Sequence, residues 1–222
     1  MPSALEVYGP ISPPFDFNHR DISKFSPEVT GRLLLKSMCA RLGWPSLAGK
    51  RLLDFGCGVR FSRTIFNLEM EIGLYLGIDT NAAPIAWLKE NLTDQKFRFD
   101  HLDMRNVIYN PNGQCCDATA LSDMGIGEFD AACMFSVITH QEPGNTELIF
   151  AMLHPYSCRL YFTALIDDQV AGYAEGDPQH PLMLSTYTTT HISDLLAKTG
   201  WRIDSVHPPV QFQQTAFVCT RY

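Results

Sequence analysis

No basic run, no long apolar stretch and no closely spaced cysteine pair of the C-x-x-C type occurs in this chain of 222 residues. Lysine and arginine number 17 against 24 aspartates and glutamates, which leaves a net charge of −7. Duplex and membrane-surface binders concentrate positive charge on one face, so neither nucleic acid nor membrane is the expected partner. No segment approaches the ~18 consecutive apolar residues that a spanning helix needs. The opening Met1-Pro2-Ser3-Ala4-Leu5-Glu6 also lacks the basic-then-apolar pattern of a secretory signal. The seven cysteines (Cys39, Cys57, Cys115, Cys116, Cys133, Cys158, Cys219) are odd in number and scattered, which argues against zinc and against a disulfide framework. These absences predict a soluble protein of the reducing cytoplasm.

What is present is globular composition, 45% hydrophobic and 18% charged. The length suits one domain with additions. Residues 1–49 read as an arm rich in proline and aromatics followed by a helix. Ser26 is its expected N-cap and Pro27 its first residue, and Val29, Leu33, Leu34, Met38 and Leu42 recur at helical spacing.

Residues 50–222 read as the main domain. Expected strands are Arg51–Phe55, Leu74–Ile78, Lys96–Asp100, Phe129–Val137 and Leu160–Ile166, alternating with helices at Phe61–Leu68, Pro84–Leu92 and Thr146–Leu153. Residues 167–190, with two glycines and two prolines, look like a lid insertion. A helix at His191–Lys198 and strands at Arg202–Val206 and Ala216–Arg221 close the chain. Alternating strands and helices imply an α/β fold, a mostly parallel sheet with helices on both faces. Ligands in such sheets sit beyond the carboxyl ends of the strands, which directs attention to Asp54–Gly58, Asp79, Asp103 and Phe135–His140.

Leu52-Leu53-Asp54-Phe55-Gly56-Cys57-Gly58 is the most informative stretch. Two glycines after a strand let backbone approach a ligand closely, because neither carries a Cβ. A dinucleotide fingerprint needs a third glycine three residues beyond Gly58, and Phe61 stands there. Asp54, two residues before the turn, repels a pyrophosphate and attracts an ammonium group; unit charges ~4 Å apart interact by ~4 kcal/mol at an effective dielectric of ~20. Asp79, 25 residues further on, ends the second strand, where a carboxylate can accept two ribose hydroxyls. A cationic amino acid joined to a nucleoside describes S-adenosylmethionine.

These motifs resemble those of class I S-adenosylmethionine-dependent methyltransferases, and the likeness extends from about Lys50 to the C-terminus. It rests on Leu53–Gly58, Gly77–Asn81, Phe99–Asn112, Phe129–His140 and Thr189–Gly200. The resemblance implies a Rossmann-like, doubly wound, mostly parallel seven-stranded sheet with an N-terminal helical extension. It implies that Asp54, Gly56, Cys57 and Gly58 border the methionine part of S-adenosylmethionine, and Asp79 and Thr80 the ribose. Asp103 would reach the adenine amino group, Met104 the adenine ring, and Phe135 would stand beside the cofactor. Arg60 occupies a position where the family usually has glycine; its side chain either crowds the cofactor or pairs with the methionine carboxylate. The magnesium-dependent relatives carry an acid where this chain has Phe135-Ser136, so Asp167-Asp168 is not expected to hold a metal.

His140, just past the fourth strand, is the candidate general base for an acceptor hydroxyl. Tyr8, His19, His180 and Tyr187 are candidate substrate-lining residues in the arm and the insertion. The expected partner is a small molecule with an oxygen nucleophile. An NAD(P)-dependent oxidoreductase and a non-catalytic binding module are the rival readings. The oligomeric state is open, with a monomer or weak dimer as the default.

Overall fold

A computed structural model describes residues 10–14, 26–176, 184–209 and 214–222. The chain falls into two compact units, residues 1–102 and 103–222. The sequence reading had instead placed a boundary before residue 50.

In the first unit, helix α1 (Pro27–Arg41) starts at N-cap Ser26, whose side chain accepts a hydrogen bond from the Val29 amide, with Pro27 pre-set for the first turn. The expected apolar stripe is rotated. Val29 and Leu33 are each 45% exposed, while Gly31, Leu35, Met38 and Cys39 are buried. The reason is contact with α2 (Arg60–Asn67): a Cβ on Gly31 would lie 2.1 Å from Thr64 Oγ1, so only glycine lets the two helices approach this closely. The described part of the arm docks on the same helix. Asn67 Oδ1 accepts from the Ile11 amide at 2.8 Å, and its Nδ2 donates to the Ile11 carbonyl at 2.9 Å.

Three parallel strands, β1 (Arg51–Phe55), β2 (Leu74–Asp79) and β3 (Phe97–His101), form the sheet of this unit in the order β3-β2-β1. Leu52–Phe55 and Tyr75–Ile78 are buried without alternation, as strands covered on both faces require. Helix α3 (Ala82–Asn91) follows β2, capped by Asn81, whose side chain accepts from the Ala83 amide.

In the second unit, β4 (Ala131–Met134) pairs in parallel with β5 (Arg159–Ile166), and α4 (Pro143–Leu153) connects them. The fourth strand is shorter than the expected Phe129–Val137. Ser136 takes a left-handed φ of 57°, which turns the chain out of the extended state. The insertion adds two strands to the seven expected, β6 (Tyr173–Ala174) and β7 (Thr186–Tyr187), an antiparallel pair whose second member runs parallel to Leu165–Ile166 of β5. Helix α5 (Thr189–Lys198) leads into β8 (Trp201–His207), which pairs antiparallel with β9 (Thr215–Arg221); β9 in turn pairs antiparallel with β5. Among the described residues no helix is long and apolar enough to cross a membrane.

Replacing Gly31 by alanine forces α1 away from α2. Urea denaturation is expected to show a loss of about 1–3 kcal/mol, the usual cost of overpacking a tight contact; unchanged stability would refute the close packing.

Candidate functional site

β1 and β2 end side by side, with Phe55 opposite Ile78. The chain then turns through Gly56 (φ 72°) and Gly58 (φ 47°), values that L side chains rarely adopt. The amides of Gly56 and Cys57 both donate to the Ile78 carbonyl, at 2.7 and 3.1 Å. The Gly58 amide donates to Asp79 Oδ2 at 2.8 Å. All three amides of the turn are thus committed within the protein. A pyrophosphate-binding turn must offer its amides to the ligand. This one is bordered by carboxylates instead.

Asp54 is only 2% exposed, and its Oδ2 accepts from the Tyr75 hydroxyl at 2.5 Å. Tyr75 stands among aromatics, with ring centroids 5.8 Å from Phe97 and 6.0 Å from Phe99. Burying a carboxylate in such surroundings costs several kcal/mol unless polar partners answer it. Asp54 is not the cap of the following helix, because the N-cap of α2 is Val59 and no side chain bonds there. Asp79 also accepts from the Asn81 amide, through Oδ1 at 2.8 Å. An ionised carboxylate has about four acceptor positions, so two amide bonds leave capacity for two hydroxyls.

Cys57 does not offer its thiol to a ligand. Its sulfur packs toward β2, where a Cβ on Gly77 would come within 2.8 Å of it. Burial, and after it the charges of Asp79 and Asp54, hold the thiol pKa well above its ordinary value. Its part in the site is therefore played by backbone. Above Gly58, by contrast, an added Cβ would meet nothing within 4 Å. Thr80 presents its carbonyl 3.2 Å from His101 Nε2. Arg60 is the first residue of α2, and its carbonyl accepts from Thr64 Oγ1 at 2.7 Å.

In the second unit, residues 103–114 fold back on themselves. Asn110 Nδ2 donates to Asp103 Oδ1 at 2.9 Å, and the Gln114 amide donates to the Asp103 carbonyl at 2.8 Å. Asn106 Oδ1 accepts from the amides of Ile108 and Tyr109, both at 3.0 Å, an Asx turn that the sequence reading registered only as a loop. Asn106 Nδ2 donates to the His140 carbonyl at 3.4 Å, and the His140 ring meets Tyr109 edge-on at 5.6 Å.

His140 ends a short 3₁₀ turn, Ile138–His140, on the wall of an open cavity of about 400 Å³. Met104, Asn106, Gln141, Glu142, Asn145 and Tyr173 share that wall. Phe135 lies just beyond β4, its ring 5.1 Å from Tyr161 and outside the cavity lining. The next residue, Ser136, donates its amide to Thr163 Oγ1 at 2.9 Å, which holds the left-handed turn.

Tyr187 corrects its assignment as a lining residue. It is fully buried, donates its hydroxyl to the Gln141 carbonyl at 2.6 Å and lies 2.9 Å from Thr146 Oγ1; burial pushes its pKa up. Tyr8, His19 and His180 lie outside the described residues. Asp168 bonds the Thr189 amide at 2.7 Å, and Asp167 bonds the Gln169 amide at 2.9 Å, so both acids organise the backbone.

No family model matches the chain. Solved structures match it over nearly its whole length. Magnesium protoporphyrin IX methyltransferase from Synechocystis, with bound S-adenosylmethionine, is 13% identical at a TM-score of 0.58, covering 94% of this chain and 91% of its own. An amino pentose methyltransferase of calicheamicin biosynthesis from Micromonospora echinaspora is 13% identical at 0.60, covering 90% and 93%. The 1,6-didemethyltoxoflavin-N1-methyltransferase of Burkholderia thailandensis is 18% identical at 0.58, covering 96% and 93%. The chain has the Rossmann-like α/β fold of these S-adenosylmethionine-dependent enzymes.

A thiol held protonated beneath two carboxylates resists alkylation. Iodoacetamide at pH 8, followed by peptide mass mapping, is expected to label the exposed Cys115 and Cys158 and to spare Cys57 in the folded protein; a modified Cys57 would contradict the packing described above.

Proposed function

We propose that the chain is a methyltransferase (EC 2.1.1 class) of the cytoplasm that moves a methyl group from S-adenosylmethionine to a small-molecule acceptor, preferably at an oxygen. One observation carries this reading: the glycine turn after β1 commits its amides internally and is bordered by Asp54 and Asp79. Such a turn suits a cationic amine and a ribose diol and disfavours a dinucleotide pyrophosphate. The solved structures of the same fold with bound S-adenosylmethionine or S-adenosylhomocysteine support the same assignment.

When bound, S-adenosylmethionine supplies an already electrophilic sulfonium methyl group. Asp54 then answers the amino group, and the two glycines let the turn lie against the ligand. Arg60, at the start of α2, pairs with the carboxylate of the methionine part. Asp79 holds the ribose, next to Thr80, while Asp103 and Met104 take the adenine and Phe135 stands beside it. His140 accepts the acceptor's proton at a ring nitrogen while the cavity wall orients the nucleophile and excludes water. Alignment of this kind lowers a barrier by ~7–11 kcal/mol, and a positioned base adds about 100–10,000-fold.

Two variants separate these roles. Asp54→Asn removes a charge-assisted contact worth about 1.5–3 kcal/mol, so calorimetry with S-adenosylhomocysteine is expected to show about 10- to 100-fold weaker binding; wild-type affinity would overturn the assignment. His140→Ala is expected to slow single-turnover methyl transfer about 100-fold or more while S-adenosylhomocysteine affinity stays within about twofold. An unchanged rate at neutral pH would remove His140 from the mechanism.

A further inference from the structure

The cavity beside His140 contains one polar atom with an unmet requirement. Gln141 is a wall residue, is 8% exposed, and its side-chain oxygen Oε1 is buried with no hydrogen-bond partner. Its backbone, by contrast, is fixed on both sides. The Gln141 amide donates to the Ile138 carbonyl at 3.2 Å, and its carbonyl accepts from the buried Tyr187 hydroxyl at 2.6 Å. The residue is therefore pinned in the wall while its carboxamide oxygen lacks a donor. A buried acceptor in that state is unfavourable, and a ligand that brings a donor relieves it.

The rest of the wall narrows the class of ligand. Its volume of about 400 Å³ lies in the range of small-molecule pockets. It carries two carboxylates, Glu142 and Glu175, against one guanidinium, Arg105, which favours neutral or cationic guests over anionic ones. Apolar surface comes from Met104, Val107 and Leu148.

We propose that Gln141 is the specificity residue of the acceptor pocket. Its Oε1 receives an N–H or O–H of a compact, uncharged or cationic ring compound whose methylated atom faces the neighbouring His140. This rests on the methyltransferase reading for the identity of the pocket as an acceptor site; the contact to Gln141 itself does not depend on it. A site built to receive a donor rejects analogues that lack one far more strongly than an apolar pocket distinguishes methyl groups.

The test uses the full chain with two matched probe pairs, resorcinol with 1,3-dimethoxybenzene for O–H and uracil with 1,3-dimethyluracil for N–H. Saturation-transfer NMR titrations are run on the wild type, Gln141→Leu and Gln141→Glu, with calorimetry of S-adenosylhomocysteine on the same samples. The wild type is expected to prefer the donor-bearing member of at least one pair by about tenfold or more. Gln141→Leu should lose that preference, Gln141→Glu should keep it because a carboxylate still accepts, and the Tm of Gln141→Leu should hold or rise because an orphaned polar group has been removed. A preference that survives in Gln141→Leu overturns the proposal, as does failure of both pairs to bind the wild type. Loss of donor preference with Gln141→Leu in a protein that never binds S-adenosylhomocysteine leaves Gln141 as the donor reader and removes the methyltransferase reading instead.

Discussion

The hydrogen bond from the Gly58 amide to Asp79 joins the turn after β1 to the end of β2 and sets the chemical character of the first unit. With the Gly56 and Cys57 amides on the Ile78 carbonyl, it leaves the turn no donors of its own to offer. A Gly-x-Gly turn is read by habit as a phosphate cradle. Here the same backbone shape serves the opposite electrostatics, because its amides point into the sheet and carboxylates border it. The close packing of Gly77 against Cys57 and Phe99 supports this arrangement from below, since a side chain at Gly77 would push the turn outward.

Asp54 is costly to bury and so informative. Its carboxylate lies in the sheet interior beside Tyr75, Phe97 and Phe99, and the Tyr75 hydroxyl bonds one of its oxygens. A carboxylate placed there for stability alone would be a poor choice, because apolar side chains of similar volume often do as well or better. Its value lies in the negative charge it keeps next to the glycine turn. The second unit follows a parallel logic: Asn106 and Asn110 knot residues 103–114, and Asn106 reaches the His140 carbonyl, so polar side chains fix the loop that faces the cavity.

Much of this was legible in the sequence. The apolar runs Arg51–Phe55 and Leu74–Ile78, the Ser26-Pro27 start of α1 and the Gly56 and Gly58 pair carry their structural meaning locally, and each stands where the pattern placed it. The errors came where tertiary contact decides. The α1 stripe was misplaced because Gly31 counts as a helix breaker until Thr64 is seen against it. The fourth strand was overextended because a left-handed serine leaves no mark on an apolar run. Residues 167–190 looked like pure insertion because a two-residue strand such as Thr186–Tyr187 gains its identity from Leu165–Ile166 across the gap. Gln141 went unnoticed beside His140, since an unpaired amide oxygen exists only once its surroundings are known.

The central claim is electrostatic: the turn after β1 serves a cation and a ribose and rejects a pyrophosphate. Calorimetric titration of the wild-type protein with S-adenosylhomocysteine and, separately, with NAD⁺ tests it most directly. The account predicts saturable one-site binding of the first and no binding heat from the second. Saturable binding of NAD⁺ with none of S-adenosylhomocysteine would contradict it.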